Sequence, residues 1–163
     1  MADEFFDVEL NYDAANGISE GTYLFKVLNV KPYVKKDDTG APTGKKAIIV
    51  ELEAVAGSNP DGLGMTHEEF FHCPEASDDG RQRAFKQEKL VALAIAGQLV
   101  TAEQAKGKGS PPFALLKDRN FVGTIVKKNG FTNLDNLKRT DDPAVAHIVN
   151  SAAPAPARAP QII

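Results

Sequence analysis

The chain has no tryptophan, a single cysteine among 163 residues, and no apolar run near the roughly 18 to 20 residues that a membrane-spanning helix needs. With no second thiol, Cys73 cannot form an internal disulfide, so the fold rests on ordinary packing, as suits a reducing compartment. The first twenty residues hold six acids and no Lys or Arg, unlike the basic start of a signal or transit peptide. Together these absences predict a cytoplasmic protein that makes no use of a membrane.

Catalytic signatures are also missing. Gly107 to Ser110 do not form the GxxxxGK[ST] phosphate loop. In HEEFFHC, four residues separate His67 from His72 where the zinc-binding HExxH helix has three, and residues five apart on a strand face opposite sides. Cys73 lacks a partner arrangement that would make it a nucleophile and reads as a semi-buried thiol. The expectation is a non-enzyme with no cofactor and no metal.

What is present suffices for one domain with a real core, since 42% of residues are hydrophobic. The net charge of -3 hides blocks of opposite sign: residues 1–20 and 47–80 carry -6 and -8, whereas 21–46, 81–109 and 110–140 carry +4 each. Such blocks give a small fold one basic and one acidic face.

GTYLFKVLNV, rich in β-branched and aromatic residues, predicts a strand at about 22–31, and KAIIVELEAV a second at about 46–55. In the second, Ile48, Val50, Leu52 and Ala54 alternate with Ala47, Ile49, Glu51 and Glu53, as in a half-buried antiparallel strand. KKDDTGAPTGKK between them reads as a long mobile connection. A third strand is expected within 65–73, then a helix from Gly80 to Ala96 capped by Ser77, Asp78 or Asp79. Phe85 and Phe113 are assigned to the core. Asn129-Gly130, between FVGTIVKK and FTNLDNL, tolerates positive φ at both central positions of a type I′ turn and fixes a hairpin. Beyond Thr140 the composition turns to Ala and Pro, so the expected organisation is an acidic segment at 1–20, a domain at 21–140 and a flexible tail at 141–163.

Three strands, a helix and two strands, with antiparallel patterning, match the five-stranded Greek-key barrel called the OB-fold, its helix plugging one end; an unclosed sheet on one helix is the competing architecture. GTYLFKVLNV, GKKAIIVELEAVAGSNPDGLG, KLVALAIAG and LKDRNFVGTIVKKNGFTNL, spaced as they are over about residues 20–138, resemble the small single-stranded-DNA-binding proteins carried by phages and prophages. That resemblance implies an OB-fold, single-stranded DNA as partner, and a supporting role in DNA replication or recombination beside the proteins of those pathways. Family members often end in an acidic tail with a hydrophobic tip; here the acids Asp141 and Asp142 lie far from the terminal Ile-Ile. The oligomeric state is left open, a homodimer included.

An OB-fold binds oligonucleotides on strands two and three, between the loops joining strands one to two and four to five. Lys31, Lys35, Lys36, Lys45 and Lys46 line the first loop and Lys127 and Lys128 the second. Lysine at hairpin tips also serves solubility and discourages edge pairing. With no Trp, the candidate stacking platforms are Tyr23, Phe25, Tyr33, Phe70, Phe71, Phe121 and Phe131, of which Tyr33, Phe70 and Phe131 are assigned to the interface, Phe70 competing with Phe71 for the outward position. Glu51, Glu53, Glu68 and Glu69 on the same strands would repel phosphate if they faced the cleft. They supply the rival expectation, a protein-interaction module that meets a basic target, such as a phage accessory factor or an inhibitor of a host defence protein. A virion or assembly component is a third and weaker class.

Overall fold

Five antiparallel strands make one sheet in the computed structural model, which describes residues 17–152. The strands are β1 (Gly21–Lys36), β2 (Pro42–Gly57), β3 (Thr66–His72), β4 (Asn120–Lys128) and β5 (Phe131–Lys138). Their spatial order is β3-β2-β1-β4-β5. Helix α1 (Gly80–Ala96) follows β3, and a short helix α2 (Ala146–Ala152) follows β5. Most of the acidic segment and the tail from 153 onward lie outside the described residues. Among the described residues no helix is long and apolar enough to cross a membrane.

β1 organises the sheet because it pairs on both sides, with β4 over Gly21 to Lys26 and with β2 along most of its length. Register shifts after Leu24, Val27 and Val34 bend it, which lets one strand serve two differently directed neighbours. Alternation then sends Tyr23, Phe25 and Val27 to a core shared with Val50, Leu52, Phe71, Phe121, Ile125 and Leu134. Each large side chain buried there contributes roughly 1.5–3 kcal/mol. The Tyr23 ring packs against Gly57 and Gly62, where any Cβ would overlap it, and its hydroxyl donates to the Ser19 carbonyl at 2.8 Å.

α1 begins with a capping box: Asp79 Oδ1 accepts from the Gln82 N–H at 2.8 Å and Gln82 Oε1 accepts from the Asp79 N–H at 3.1 Å. Its last turn buries Leu93, Ala94 and Ala96, and the Arg119 guanidinium donates to the Gly97 and Gln98 carbonyls at the helix end. Phe85, assigned to the core from sequence, is instead 62% exposed, with the Lys89 ammonium 5.8 Å from its ring centre. The N-terminal half of α1 turns mainly Lys86, Lys89 and Leu90 inward, leaving Phe85 on the solvent side.

Three expectations are corrected. The sheet is open in its hydrogen bonding: no ladder joins β3 to β5, so α1 does not plug a closed barrel but packs against both edge strands. The connection expected over 35–46 is mostly strand, because Asp37 gathers the chain into a tight turn. Its Oδ1 accepts from the Thr39 hydroxyl at 2.6 Å and from the Thr39 and Ala41 N–H groups at 2.9 and 3.0 Å, and Gly40 supplies the positive φ of 86°. These bonds, the Thr39 hydroxyl foremost, hold the Asp37 carboxyl below its usual range. Lastly, residues 143–152, read from composition as tail, form a 3-10 turn and α2, which seat Val145 and Ile148 on Leu24, Ala56 and Val122 of the sheet's other face.

Candidate nucleic-acid interface

Cross-strand register decides which side chains share the outer face of β2 and β3. Ile49 pairs with Lys31 and Phe70, Ala47 with Tyr33 and His72, and Glu51 with Asn29 and Glu68. Paired residues point to one side of a sheet. Phe71 takes the core position and Phe70 the outward one, which resolves the choice that alternation left open.

Tyr33 and Phe70 stand on β1 and β3 with β2 between them, yet their ring centres are 5.4 Å apart, edge to face. The rings must lean together over β2, which accounts for the burial of Ala47 and Ile49 on an otherwise open face. His72 continues the row, its ring centre 6.3 Å from that of Phe70. Tyr33 remains 39% exposed and Phe70 37%, so the row presents ring surface to solvent. Tyr33 reaches this position from a strand and not, as expected, from a mobile loop.

Beyond Lys46, β1 and β2 pair only with each other and run out as a two-stranded ribbon whose residues are exposed throughout. Lys35, Lys36, Lys45 and Lys46 all lie on it. Between the ribbon and the start of α1 is a cleft of about 490 Å³ lined by Tyr33, Lys35, Lys45, Lys46, His72 and Lys86, among others. Lys86 was not among the residues singled out by sequence. It sits on a helix rather than a lysine-rich loop, and only the packing of α1 beside β3 brings it to the cleft.

The Lys86 ammonium is held at 2.9 and 3.0 Å by the two Asp78 oxygens, one of which also accepts from the Glu75 N–H at 2.9 Å. That backbone bond first, and the lysine second, hold the Asp78 carboxyl below the usual value of 3.8. A lowered folded pKa means that the unfolded chain binds more protons just below pH 3.8, so this contribution to stability is complete above that value and is lost as pH falls through the folded pKa. Asp78→Asn should therefore melt below the parent at pH 7, and the two melting curves should converge as pH is lowered below the folded pKa. A constant gap at every pH would show that charge is irrelevant there.

The remaining site residues separate into two groups. Lys31 forms an ion pair with Glu51, and that hydrogen bond raises its pKa, with Glu68 adding to the effect. Its charge is thus engaged by the two acids that face each other across β2 and β3. Glu51, Glu53 and Glu68 do share the outer face with the rings, toward the end away from the ribbon. Glu69 points inward instead, buried, with His67 Nε2 at 2.7 Å and Lys89 at 3.9 Å. Lys127, Lys128 and Phe131 flank the turn made by Asn129 and Gly130, at φ 51° and 80°. Because Gly21 pairs with Ile125, that turn lies past the start of β1, whereas the ribbon is its far end. The two lysine groups are therefore not side by side. Against known proteins, the chain matches no family model and no curated sequence.

Proposed function

We propose that the protein is an OB-type module that binds single-stranded DNA across the outer face of β2 and β3, without catalysis, in support of replication or recombination. The observation that carries this reading is the exposed row of Tyr33, Phe70 and His72 continuous with the lysines of the ribbon. Rings offer bases a stacking surface that duplex DNA cannot use, and the lysines beside them neutralise the backbone. The OB assignment draws support from the strand order, with β1 flanked by β2 and β4, and from α1 packing on both edge strands.

Anisotropy titrations with a labelled oligonucleotide test it. Single strands should bind better than duplex, and with about three to five phosphates neutralised, log K should fall against log salt with a slope of roughly -2 to -4. Reversing two ribbon charges, Lys45→Glu with Lys46→Glu, should make that slope shallower by about 1.4, since each single-strand contact contributes about 0.7. Absence of binding to any oligonucleotide at low salt overturns the reading.

A second reading has its own observation: Glu51 and Glu68 face each other with Lys31 paired to Glu51, an arrangement suited to a basic protein surface. Charge reversal at Glu51 and Glu68 that abolishes a protein interaction, with ribbon reversals silent, would favour it.

A further inference from the structure

The last rung that β3 shares with the sheet runs Tyr33, Ala47, His72, with a ring at each end and only a methyl group between. Just past it the Cys73 N–H donates to the Lys46 carbonyl at 2.9 Å, and the chain then turns away from β2 through residues 74–79 into α1. That departure opens the cleft of about 490 Å³ between the ribbon and α1, a volume within the range of small-ligand sites. On the ribbon side the Thr43 hydroxyl donates to the Lys35 carbonyl at 2.8 Å, which fixes the backbone that carries the lysines.

The charges around the cleft are engaged to different degrees. Asp78 and Lys86 offset each other, and the Glu75 carboxylate accepts from the Ser77 hydroxyl at 2.8 Å. Lys35, Lys45 and Lys46 are exposed and form no ion pair among the described residues. Even with Glu75 set against one of them, an excess of positive charge faces a space that holds one small ligand. A phosphodiester brings a single negative charge, whereas a phosphomonoester brings about -1.5 to -2 at pH 7 and three acceptor oxygens. The cleft matches the monoester better. The acids on the outer face point the same way, because a strand that enters along the ribbon and halts before Glu51 and Glu68 has its end over the ring row, beside this cleft.

We propose that the cleft seats the phosphomonoester of a nucleotide, with its phosphate among Lys35, Lys45 and Lys46 and its base against Tyr33 and His72. The phosphorylated end of a strand and a mononucleotide share this chemistry. Assignment to strand ends rests on the nucleic-acid reading, but the seat itself does not.

The test titrates the full chain at low salt with one internally labelled oligonucleotide, prepared 5′-phosphorylated, 3′-phosphorylated, unphosphorylated and circular. One of the phosphorylated forms should bind at least about fivefold more tightly than the unphosphorylated and circular forms, and methylating its terminal phosphate, which removes a charge, should abolish the gain. Lys45→Gln with Lys46→Gln should equalise the phosphorylated and unphosphorylated affinities. That ratio is read within one variant, so a loss of folded protein cannot imitate the result. In a second measurement, thymidine 5′-monophosphate should shift the amide resonances of Lys46, Ala47 and Cys73 and displace the phosphorylated strand, and thymidine should do neither. Shifts by the mononucleotide without any gain at strand ends would identify the mononucleotide as the ligand of the same seat. Equal affinity for all forms of the strand, with no response to the mononucleotide, would overturn the seat and leave single-strand binding standing. Inorganic phosphate that displaces the strand as well as the mononucleotide does would show that the rings hold no base, and would overturn it too. A response to the mononucleotide without any oligonucleotide binding would keep the seat and remove the nucleic-acid reading.

Discussion

Alanine at both Tyr33 and Phe70 is expected to weaken single-strand binding about 30- to 1000-fold while leaving its salt dependence unchanged. Base stacking on a ring contributes about 1–3 kcal/mol by alanine substitution. The two rings touch, so their losses should not simply add, and a joint loss of about 2–4 kcal/mol at about 1.4 kcal/mol per decade gives that range. Neither ring carries charge, so the number of counterions released should stay the same, which separates this pair from the ribbon lysines. Each ring is more than a third exposed, so the unfolding free energy should move by no more than about 1 kcal/mol, mostly from uncovering Ala47 and Ile49. Tyr33→Phe with Phe70→Tyr keeps both platforms and should bind like the parent. Affinity unchanged in the double alanine variant would mean that phosphate contacts alone hold the strand, and the row of rings would lose its role.

On the proposed reading, the acids on the same face set a direction for a bound strand. Glu51 and Glu68 lie directly opposite each other, and Lys31 is placed to offset both. A phosphate over that end meets net negative charge, whereas over His72 and the ribbon it meets Lys35, Lys45 and Lys46, which outnumber Glu75 on the cleft wall, Lys86 being held by Asp78. The strand should therefore enter from the ribbon and stack on Tyr33 and Phe70 without crossing Glu51. The face is divided by charge along the strands, which net composition conceals.

Parts of this architecture are legible in the sequence for identifiable reasons. Asn129-Gly130 announces its turn because few other pairs accept φ of 51° and 80° in succession. The span Gly80 to Ala96 shows itself through Asp79 and Gln82 at capping-box spacing and through a stretch free of Pro and β-branched clusters. The ribbon is hidden because its strands carry no buried side chain: Lys, Thr, Gly and Pro look like a loop, and what keeps them paired is backbone bonding closed by Asp37. The cleft is hidden because Lys86 lies 41 residues after Lys45 and only packing relates them. The opening of the barrel was beyond pattern reading, since alternation gives the faces of β3 and β5 but says nothing of whether their edges meet.

Ile148→Ala is expected to destabilise the protein by about 2–4 kcal/mol, although residues beyond Thr140 look like an unstructured tail by composition. Ile148 is 4% exposed and Val145 7%, and with Leu24, Ala56 and Val122 they form a core on the sheet face opposite the main one. A helix of seven residues is too short to be stable alone, so α2 must owe its existence to that contact. Removing the isoleucine side chain takes away the largest apolar group holding the helix and leaves Leu24 and Val122, central strand residues, open to water. For a chain of this size the melting temperature should fall by roughly 5–15 °C. Urea unfolding should show a lower midpoint, and a reduced slope as well if α2 already detaches in the native state of the variant. A midpoint equal to the parent's would mean that α2 adds nothing to the fold, and that a domain ending near Thr140 is sufficient. The rings of Tyr33 and Phe70 lie far along β1 and β3 from this patch, so single-strand affinity should be retained at temperatures where the variant remains folded. Loss of binding together with stability would instead show that α2 sets the curvature of the sheet on which the interface depends.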